Sequence, residues 1–136
     1  MKKIAVILAA GKGERFGSSL PKQFHKMVGE KRMIDVTLDA FLECRDIDEI
    51  WLTYPKGFEK EVACFREKGI FLVEGGKTGQ ESLWNALKQM FYDEEDLIIV
   101  HDGDRPLVTP ELISATIKAA KKCGAACGGM ISSDYV

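Results

Sequence analysis

A glycine-rich segment with two cations follows the first apolar run of the chain. The run at residues 4–8 leads into a Gly-Lys-Gly-Glu-Arg segment at 11–15, and Lys22 comes soon after. Glycines at 11 and 13 allow backbone N–H groups to approach a phosphate, because no side chain lies between. Arg15 and Lys22 bring positive charge to the same loop. The combination predicts a cradle for a triphosphate, with cations that stabilise developing negative charge.

Two other phosphate-binding motifs fit this sequence poorly. The glycines at 11–17 have the spacing G-x-G-x-x-x-G, and the next apolar run ends in Thr-Tyr-Pro rather than in an acidic residue, which excludes a dinucleotide-binding turn. Residues 76–78 resemble the end of a P-loop, but position 71 is Phe where that motif requires Gly. A flexible, solvated loop is the remaining alternative, and its place after a buried strand argues against it.

The elements that must position these residues follow an alternating pattern. Short runs rich in Ile, Val and Leu alternate with segments of helical period, which predicts an α/β fold with a mostly parallel sheet. Helical periodicity covers Ile34 to Leu42 and Leu83 to Phe91, and Thr109 with Pro110 predicts a helix start. Strands are predicted at residues 4–8, 50–54, 70–73 and 97–101, with a fifth near Ala126.

The composition limits the partners that this chain can have. Its 136 residues fit a single domain, and a net charge of -2 argues against a nucleic-acid or membrane partner. The four cysteines form no C-x-x-C pair, so we expect reduced, mostly buried thiols in a cytoplasmic protein. The apolar run at the N-terminus ends at Ala10, too early for a membrane span or an export signal.

Four separated segments resemble the cytidylyltransferases that act on 2-C-methyl-D-erythritol 4-phosphate or on ribitol 5-phosphate. Their order and spacing match that family over essentially the whole chain. The segments are residues 8–15 with Pro-Lys-Gln-Phe at 21–24, Thr-Leu-Asp-Ala-Phe at 37–41, the stretch from Gly75 to Ser82, and His-Asp-Gly-Asp-Arg-Pro at 101–106.

The resemblance implies a fold and an activity. The fold is the Rossmann-like three-layer nucleotidyltransferase fold with a mostly parallel sheet, incomplete at its C-terminal end. The activity is Mg²⁺-dependent transfer of CMP from CTP to a polyol phosphate, with release of pyrophosphate. 2-C-methyl-D-erythritol 4-phosphate is the favoured acceptor; ribitol 5-phosphate, or a catalytically inactive CTP-binding module, is the alternative.

The resemblance also assigns roles to residues. Arg15 and Lys22 would stabilise the charge on the α-phosphate, and Asp102 would bind Mg²⁺ or the ribose hydroxyls. The resemblance assigns no role to Asp104, which stands where many family members have an uncharged residue; its own chemistry leaves a metal ligand or a partner of Arg105 as the two options. The nucleotide site would comprise Leu8, Ala9, Ala10, Gly11, Gly13, Gly75, Gly76, Ser82, Asp102, Gly103 and Arg105.

Four of these residues have plainer interpretations. Gly75 with Gly76 is also typical of a simple turn, Ser82 of a helix cap, and Asp102 of an ordinary turn. His101 is expected to be an oriented structural residue rather than a catalytic base, because the attacking phosphate is already ionised.

Two features depart from the methylerythritol branch of the family. Gly79 stands where those enzymes usually have an Arg before Ser82, and this, with Gly103, favours the ribitol branch. Family members also continue beyond Val136, where they carry a dimerisation arm and the residues that bind the acceptor's phosphate. We therefore expect a truncated chain that binds CTP better than it turns over, and a homodimer in the full-length form.

Overall fold

A four-stranded parallel sheet forms the centre of the protein. The computed structural model describes residues 1–11 and 19–128, so Gly13 and Arg15 lie outside the described residues. The strands are β1 (Lys3–Leu8), β4 (Glu49–Tyr54), β5 (Phe71–Glu74) and β6 (Leu97–Asp102), in the spatial order β5-β4-β1-β6. A small antiparallel hairpin of β2 (Lys26–Val28) and β3 (Lys31–Arg32) stands apart from this sheet.

The helices cover both faces of the sheet, as predicted for a three-layer fold. They are α1 (Met33–Glu43), α2 (Glu59–Val62), α3 (Gly79–Leu87) and α4 (Pro110–Cys123), with short 3₁₀ helices at Lys22–Phe24 and Ala63–Lys68. Ala5 and Ile7 face a core built on α1 and α4, whereas Ile4 and Val6 face a core built on α3. These four residues are fully buried, which explains why β1 is apolar at consecutive positions.

The predicted strands agree with the observed ones to within one residue at each end. The N-terminus of α4 also has the predicted cap, because the Thr109 hydroxyl accepts a hydrogen bond from the Leu112 N–H and Pro110 occupies the first turn. The predicted fifth strand is not present at Ala126, since residues 125–128 form no regular structure. Its continuation from residue 129 lies outside the described residues.

Two predicted helical faces are wrong at their C-terminal ends. Leu42 and Phe91 are 39% and 89% exposed, although both were expected to pack on the sheet. Just after α3 the Gln89 N–H bonds to the Ala86 carbonyl, three residues back, so the turn that ends the helix tightens. Met90 is still buried, but Phe91 leaves the helical face and its carbonyl accepts a bond from the Lys2 ammonium group.

The cysteines are only partly as expected. All four are free, but only Cys44 is buried, and the other three are exposed: Cys64, Cys123 and Cys127. Cys64 lies in the 3₁₀ helix Ala63–Lys68, Cys123 ends α4, and Cys127 lies in the irregular segment after α4. Among the described residues, no helix has the length and apolar character to cross a membrane.

One buried hydroxyl connects α1 to the end of β6. Thr37 is fully buried, and its Oγ1 lies 3.0 Å from the Gly103 carbonyl oxygen and 3.1 Å from that of Met33. The Met33 carbonyl belongs to the helix, whereas the Gly103 carbonyl lies in the turn that follows β6. The hydroxyl therefore fixes that turn against the helix.

We expect Thr37→Val to lower the free energy of unfolding by about 1–3 kcal/mol, because the isosteric change leaves the buried Gly103 carbonyl without its partner. Urea denaturation measures this. Thr116→Val is the matched control, since Thr116 bonds only to the Leu112 carbonyl on the surface of α4, and we expect less than about 0.5 kcal/mol there. Equal losses in the two variants would contradict the role given to Thr37.

Candidate active site

A cavity of about 330 Å³ lies where the loops after β1, β5 and β6 meet. The carboxyl ends of parallel strands share one edge of a sheet, and ligands of open α/β folds bind there. Seven residues predicted for the site line the cavity: Leu8, Ala9, Ala10, Gly11, Gly76, Ser82 and Asp102. Five further lining residues had no predicted role or an undecided one: Gln23, Lys77, Thr78, Gly79 and Asp104.

The loop after β1 forms the first wall, and hydrogen bonds hold its backbone on both sides. The Ala9 N–H lies 3.1 Å from the Thr53 carbonyl oxygen and 3.2 Å from the Thr53 hydroxyl. From the other side, the Gln23 amide nitrogen donates to the carbonyls of Ala9 at 2.6 Å and of Gly11 at 2.8 Å. The backbone at the cavity is therefore fixed before any ligand binds.

The second wall is the turn between β5 and α3. Ser82 is not a helix cap, because Thr78 takes that position and accepts a bond from the Glu81 N–H. Ser82 lies inside α3, only 2% exposed, and its Oγ accepts a bond of 3.0 Å from the Gly76 N–H. The turn is thus fastened to the helix that follows it.

Gly75 lies behind this wall and lets the first two walls touch. A Cβ at position 75 would stand 2.1 Å from the Ala10 Cβ and 2.8 Å from the Ser82 Oγ. Its N–H also donates to the Tyr54 carbonyl at 2.9 Å. Gly75 therefore supports the cavity through close packing and does not line it.

The turn after β6 forms the third wall. The expected pairing of Asp104 with Arg105 is not observed in this turn. The Arg105 Nε lies 3.2 Å from the Asp102 carboxylate, so Arg105 pairs with Asp102 and not with Asp104. Both partners are exposed, so the pair contributes at most about 1 kcal/mol. Arg105 and Gly103 do not line the cavity; a Cβ on Gly103 would lie 2.8 Å from that of Ala9.

His101 contacts both this turn and the core. Its Nε2 lies 2.9 Å from the Arg105 carbonyl oxygen, and its ring is tilted by 53° to the ring of buried Phe41, with the ring centroids 5.3 Å apart. The other histidine, His25, has its Nε2 2.7 Å from the Leu20 carbonyl oxygen.

The sequence of this chain is similar to those of known cytidylyltransferases. A sequence model of the 2-C-methyl-D-erythritol 4-phosphate cytidylyltransferase family matches residues 3–135. The chain belongs to this family. It is 41% identical over 140 residues to the cytidylyltransferase of that name from Clostridium perfringens strain SM101, covering 99% of this chain and 61% of the relative. The relative from Thermotoga neapolitana is 35% identical, with 96% of this chain and 60% of the relative covered.

Solved structures of cytidylyltransferases share the fold. The 4-diphosphocytidyl-2C-methyl-D-erythritol synthase from Anaerococcus prevotii has a TM-score of 0.72 at 31% identity, over 89% of this chain and 51% of that one. The Francisella tularensis 2-C-methyl-D-erythritol 4-phosphate cytidylyltransferase has a TM-score of 0.74 at 29% identity, over 89% and 52%. The chain spans about 61% of the length of its curated relative from Clostridium perfringens strain SM101.

In this member of the cytidylyltransferase family, the predicted cation Lys22 lies beside the cavity rather than in its described lining. Lys22 is half-buried and begins the 3₁₀ helix that also contains Gln23 and Phe24. Lys77 does line the cavity. Lys77 was not predicted as a site residue, because it belongs to the segment that was rejected as a P-loop. Its position next to Gly75 and Gly76 is the sequence feature that could have identified it.

A buried cluster anchors the 3₁₀ helix that carries Lys22. Phe24 is 2% exposed, its ring stacks on that of Phe58 at 6.0 Å, and the Arg32 guanidinium lies 5.7 Å from it. Arg32 in turn pairs with Asp35 at 3.1 Å. Burial opposes the charge of the Asp35 carboxyl, but its hydrogen bonds with Arg32 outweigh that effect and lower its pKa.

Asp102 and Asp104 give the cytidylyltransferase cavity two carboxylates on one wall. Within residues 1–11 and 19–128, no cluster of three or more His, Cys, Asp or Glu side chains could hold a metal ion. Oxygen donors of this kind suit Mg²⁺, which usually takes one or two carboxylates and completes its shell with phosphate oxygens and water. The donor set fits a metal that arrives with a nucleotide.

We expect Gly75→Ala to lower the free energy of unfolding by about 1–3 kcal/mol, because the added methyl group overlaps the Ala10 side chain. Thermal unfolding measures the loss, and the Ala10 methyl resonance in an NMR spectrum should shift. Gly128→Ala is the control: the nearest atom to its Cβ would be 3.6 Å away, and we expect a change below about 0.5 kcal/mol. An unchanged Gly75→Ala protein would show that the two walls are not packed this closely.

Proposed function

We propose that this chain forms the CTP-binding part of an enzyme that transfers CMP from CTP to 2-C-methyl-D-erythritol 4-phosphate and releases pyrophosphate. The observation that carries the proposal is the cavity at the carboxyl edge of the sheet, which three backbone loops and two carboxylates line. Membership in the cytidylyltransferase family supports the same chemistry. Because the chain spans about 61% of a relative's length, the activity, acceptor and partners of the whole protein belong to the proposal.

In the proposed reaction an oxygen of the acceptor phosphate attacks the α-phosphorus of CTP. The new bond joins that oxygen to the α-phosphorus, and the bond from the α-phosphorus to the bridging oxygen of the β-phosphate breaks. Pyrophosphate leaves with that electron pair. Such transfer depends mainly on alignment and on cations that meet the developing charge, and these are the roles proposed for Arg15 and Lys22. Lys77, on the cavity wall, adds a third cation near the phosphates.

Cytosine presents both hydrogen-bond donors and acceptors, so its pocket must offer both kinds of group. The lining includes the Ala10 backbone, the Gly11 N–H and the Gly76 carbonyl, and these can supply both kinds of group. The other N–H and C=O groups of Ala9, Gly11 and Gly76 are engaged by Thr53, Gln23 and Ser82. Ser82 Oγ accepts from the Gly76 N–H, so its own hydrogen is left to donate to a ligand. These groups are the proposed cytosine and ribose contacts.

Asp102 and Asp104 are the proposed ligands of Mg²⁺. The metal would neutralise part of the charge on the triphosphate when CTP is bound. Asp102 also holds Arg105 at 3.2 Å, which keeps the guanidinium next to the metal-binding turn. We expect the whole protein to be a cytoplasmic homodimer, an expectation that rests on the family resemblance.

The central test combines binding with turnover. We expect the 136-residue chain to bind CTP with Mg²⁺ in a calorimetric titration, and the intact protein that carries it to release pyrophosphate with 2-C-methyl-D-erythritol 4-phosphate. Ribitol 5-phosphate is the parallel acceptor, and turnover with it alone would move the proposal to that substrate. CTP binding with neither acceptor used would identify a binding module, and absence of CTP binding would contradict the proposal altogether.

Lys22 should act chiefly in the transition state, where negative charge on the phosphates is greatest. We expect Lys22→Ala to lower kcat by about a hundredfold or more while CTP affinity falls less. Lys26→Ala is the matched control, because Lys26 is exposed and pairs with Glu30 on the surface. Steady-state pyrophosphate release measures both variants, and equal losses of affinity and kcat would make Lys22 a simple phosphate anchor.

A further inference from the structure

Gln23 makes an unusual pair of contacts for a residue of no predicted role. Its side chain is 5% exposed, and one amide nitrogen donates to two backbone carbonyls, those of Ala9 and Gly11. An amide NH₂ group carries two hydrogens, so both of its donors are used. Carbonyl oxygens only accept, which fixes the nitrogen, and not the oxygen, on this side of the amide.

The two bonds determine how the first wall presents its backbone. In a trans peptide the C=O of one residue and the N–H of the next point in opposite directions. Holding the Ala9 carbonyl toward Gln23 therefore turns the Ala10 N–H away from it. The Ala9 N–H is meanwhile bonded to Thr53, so the peptide planes on both sides of Ala9 have fixed orientations.

Gln23 also connects this wall to the predicted transition-state cation. It stands between Lys22 and Phe24 in one 3₁₀ helix, and Phe24 is fixed in the core by its contacts with Phe58 and Arg32. The amide reaches back 14 residues to Ala9 and 12 residues to Gly11. One side chain thus bridges the backbone that would hold CTP and the helix that carries Lys22.

We propose that Gln23 is a positioning residue whose two amide donors lock the backbone at residues 9–11 to the Lys22 helix in the geometry that binds nucleotide. The part of this inference that is tested by CTP affinity rests on the proposed function. Its structural part, the locking of the loop, is measured without any ligand.

A comparison of Gln, Met and Glu at position 23, which have side chains of similar length, distinguishes a hydrogen-bonding role from a space-filling one. Gln23→Met keeps the volume and removes both donors, and we expect CTP affinity to fall about tenfold or more. Gln23→Glu places a carboxylate against two carbonyl oxygens, so affinity should fall further. The order Gln, Met, Glu in decreasing affinity supports the proposal, whereas a space-filling role predicts that Met binds CTP as well as Gln.

Amide hydrogen exchange provides the ligand-free measurement. We expect the Ala9 amide to exchange at least about tenfold faster in Gln23→Met, while the Ile7 amide, inside β1, keeps its rate. Gln89→Met is the matched control, because Gln89 is exposed and lies just after α3. In this variant neither the exchange rate of the Ala9 amide nor the affinity for CTP should change.

The outcomes distinguish the inference from the proposed function. If the wild-type chain binds no CTP, the proposed function is wrong, and faster Ala9 exchange in Gln23→Met still supports the positioning role. If the wild-type chain binds CTP and Gln23→Met matches it in affinity and in Ala9 exchange, the inference is overturned. A general loss of stability would accelerate Ile7 and Ala9 together, which also counts against a specific role for Gln23.

Discussion

A polar group that is buried without a hydrogen bond costs folding free energy, and this constraint organises the cavity. Four polar side chains are buried among the described residues: Gln23, Thr37, Thr53 and Ser82. Each of them bonds to the backbone of a loop that forms the cavity or supports it from below. These four buried polar side chains therefore hold the backbone that shapes the site.

These bonds act on a frame that β1 provides. The strand is paired on both edges and buried on both faces, so its exit toward the cavity has one available direction. Its neighbours then fasten that exit: the Gly103 N–H donates to the Leu8 carbonyl at 2.8 Å, and the Ala9 N–H donates to Thr53. The loops after β1 and β6 thereby keep their positions relative to each other and to β4 without a ligand.

The sequence predicted those parts of the molecule that depend on local patterns. Strands buried on both faces appear as consecutive apolar residues. The family resemblance assigned Gly76, Ser82 and Asp102 to one site, and the edge rule for parallel sheets explains why they meet. The end of α3 was not predictable, because Phe91 continues the apolar period although the last turn tightens and turns it outward. The contacts of Gln23 depend on backbone 12 and 14 residues away, which no periodicity reports.

The position of β1 also sets the order in which the protein can fold. Both of its neighbours come later in the chain, so the central strand has no partner until β4 has been made and no second partner until β6 has been made. The Lys2 N–H bonds to the Asp96 carboxylate across 94 residues, which illustrates how non-local this closure is. Sheets with such long-range pairing fold slowly, since a large loop must close before its contacts stabilise it. During synthesis β1, which is fully buried from Ile4 to Ile7 in the folded protein, therefore waits for both of its partners. In that interval its apolar side chains are exposed to other chains.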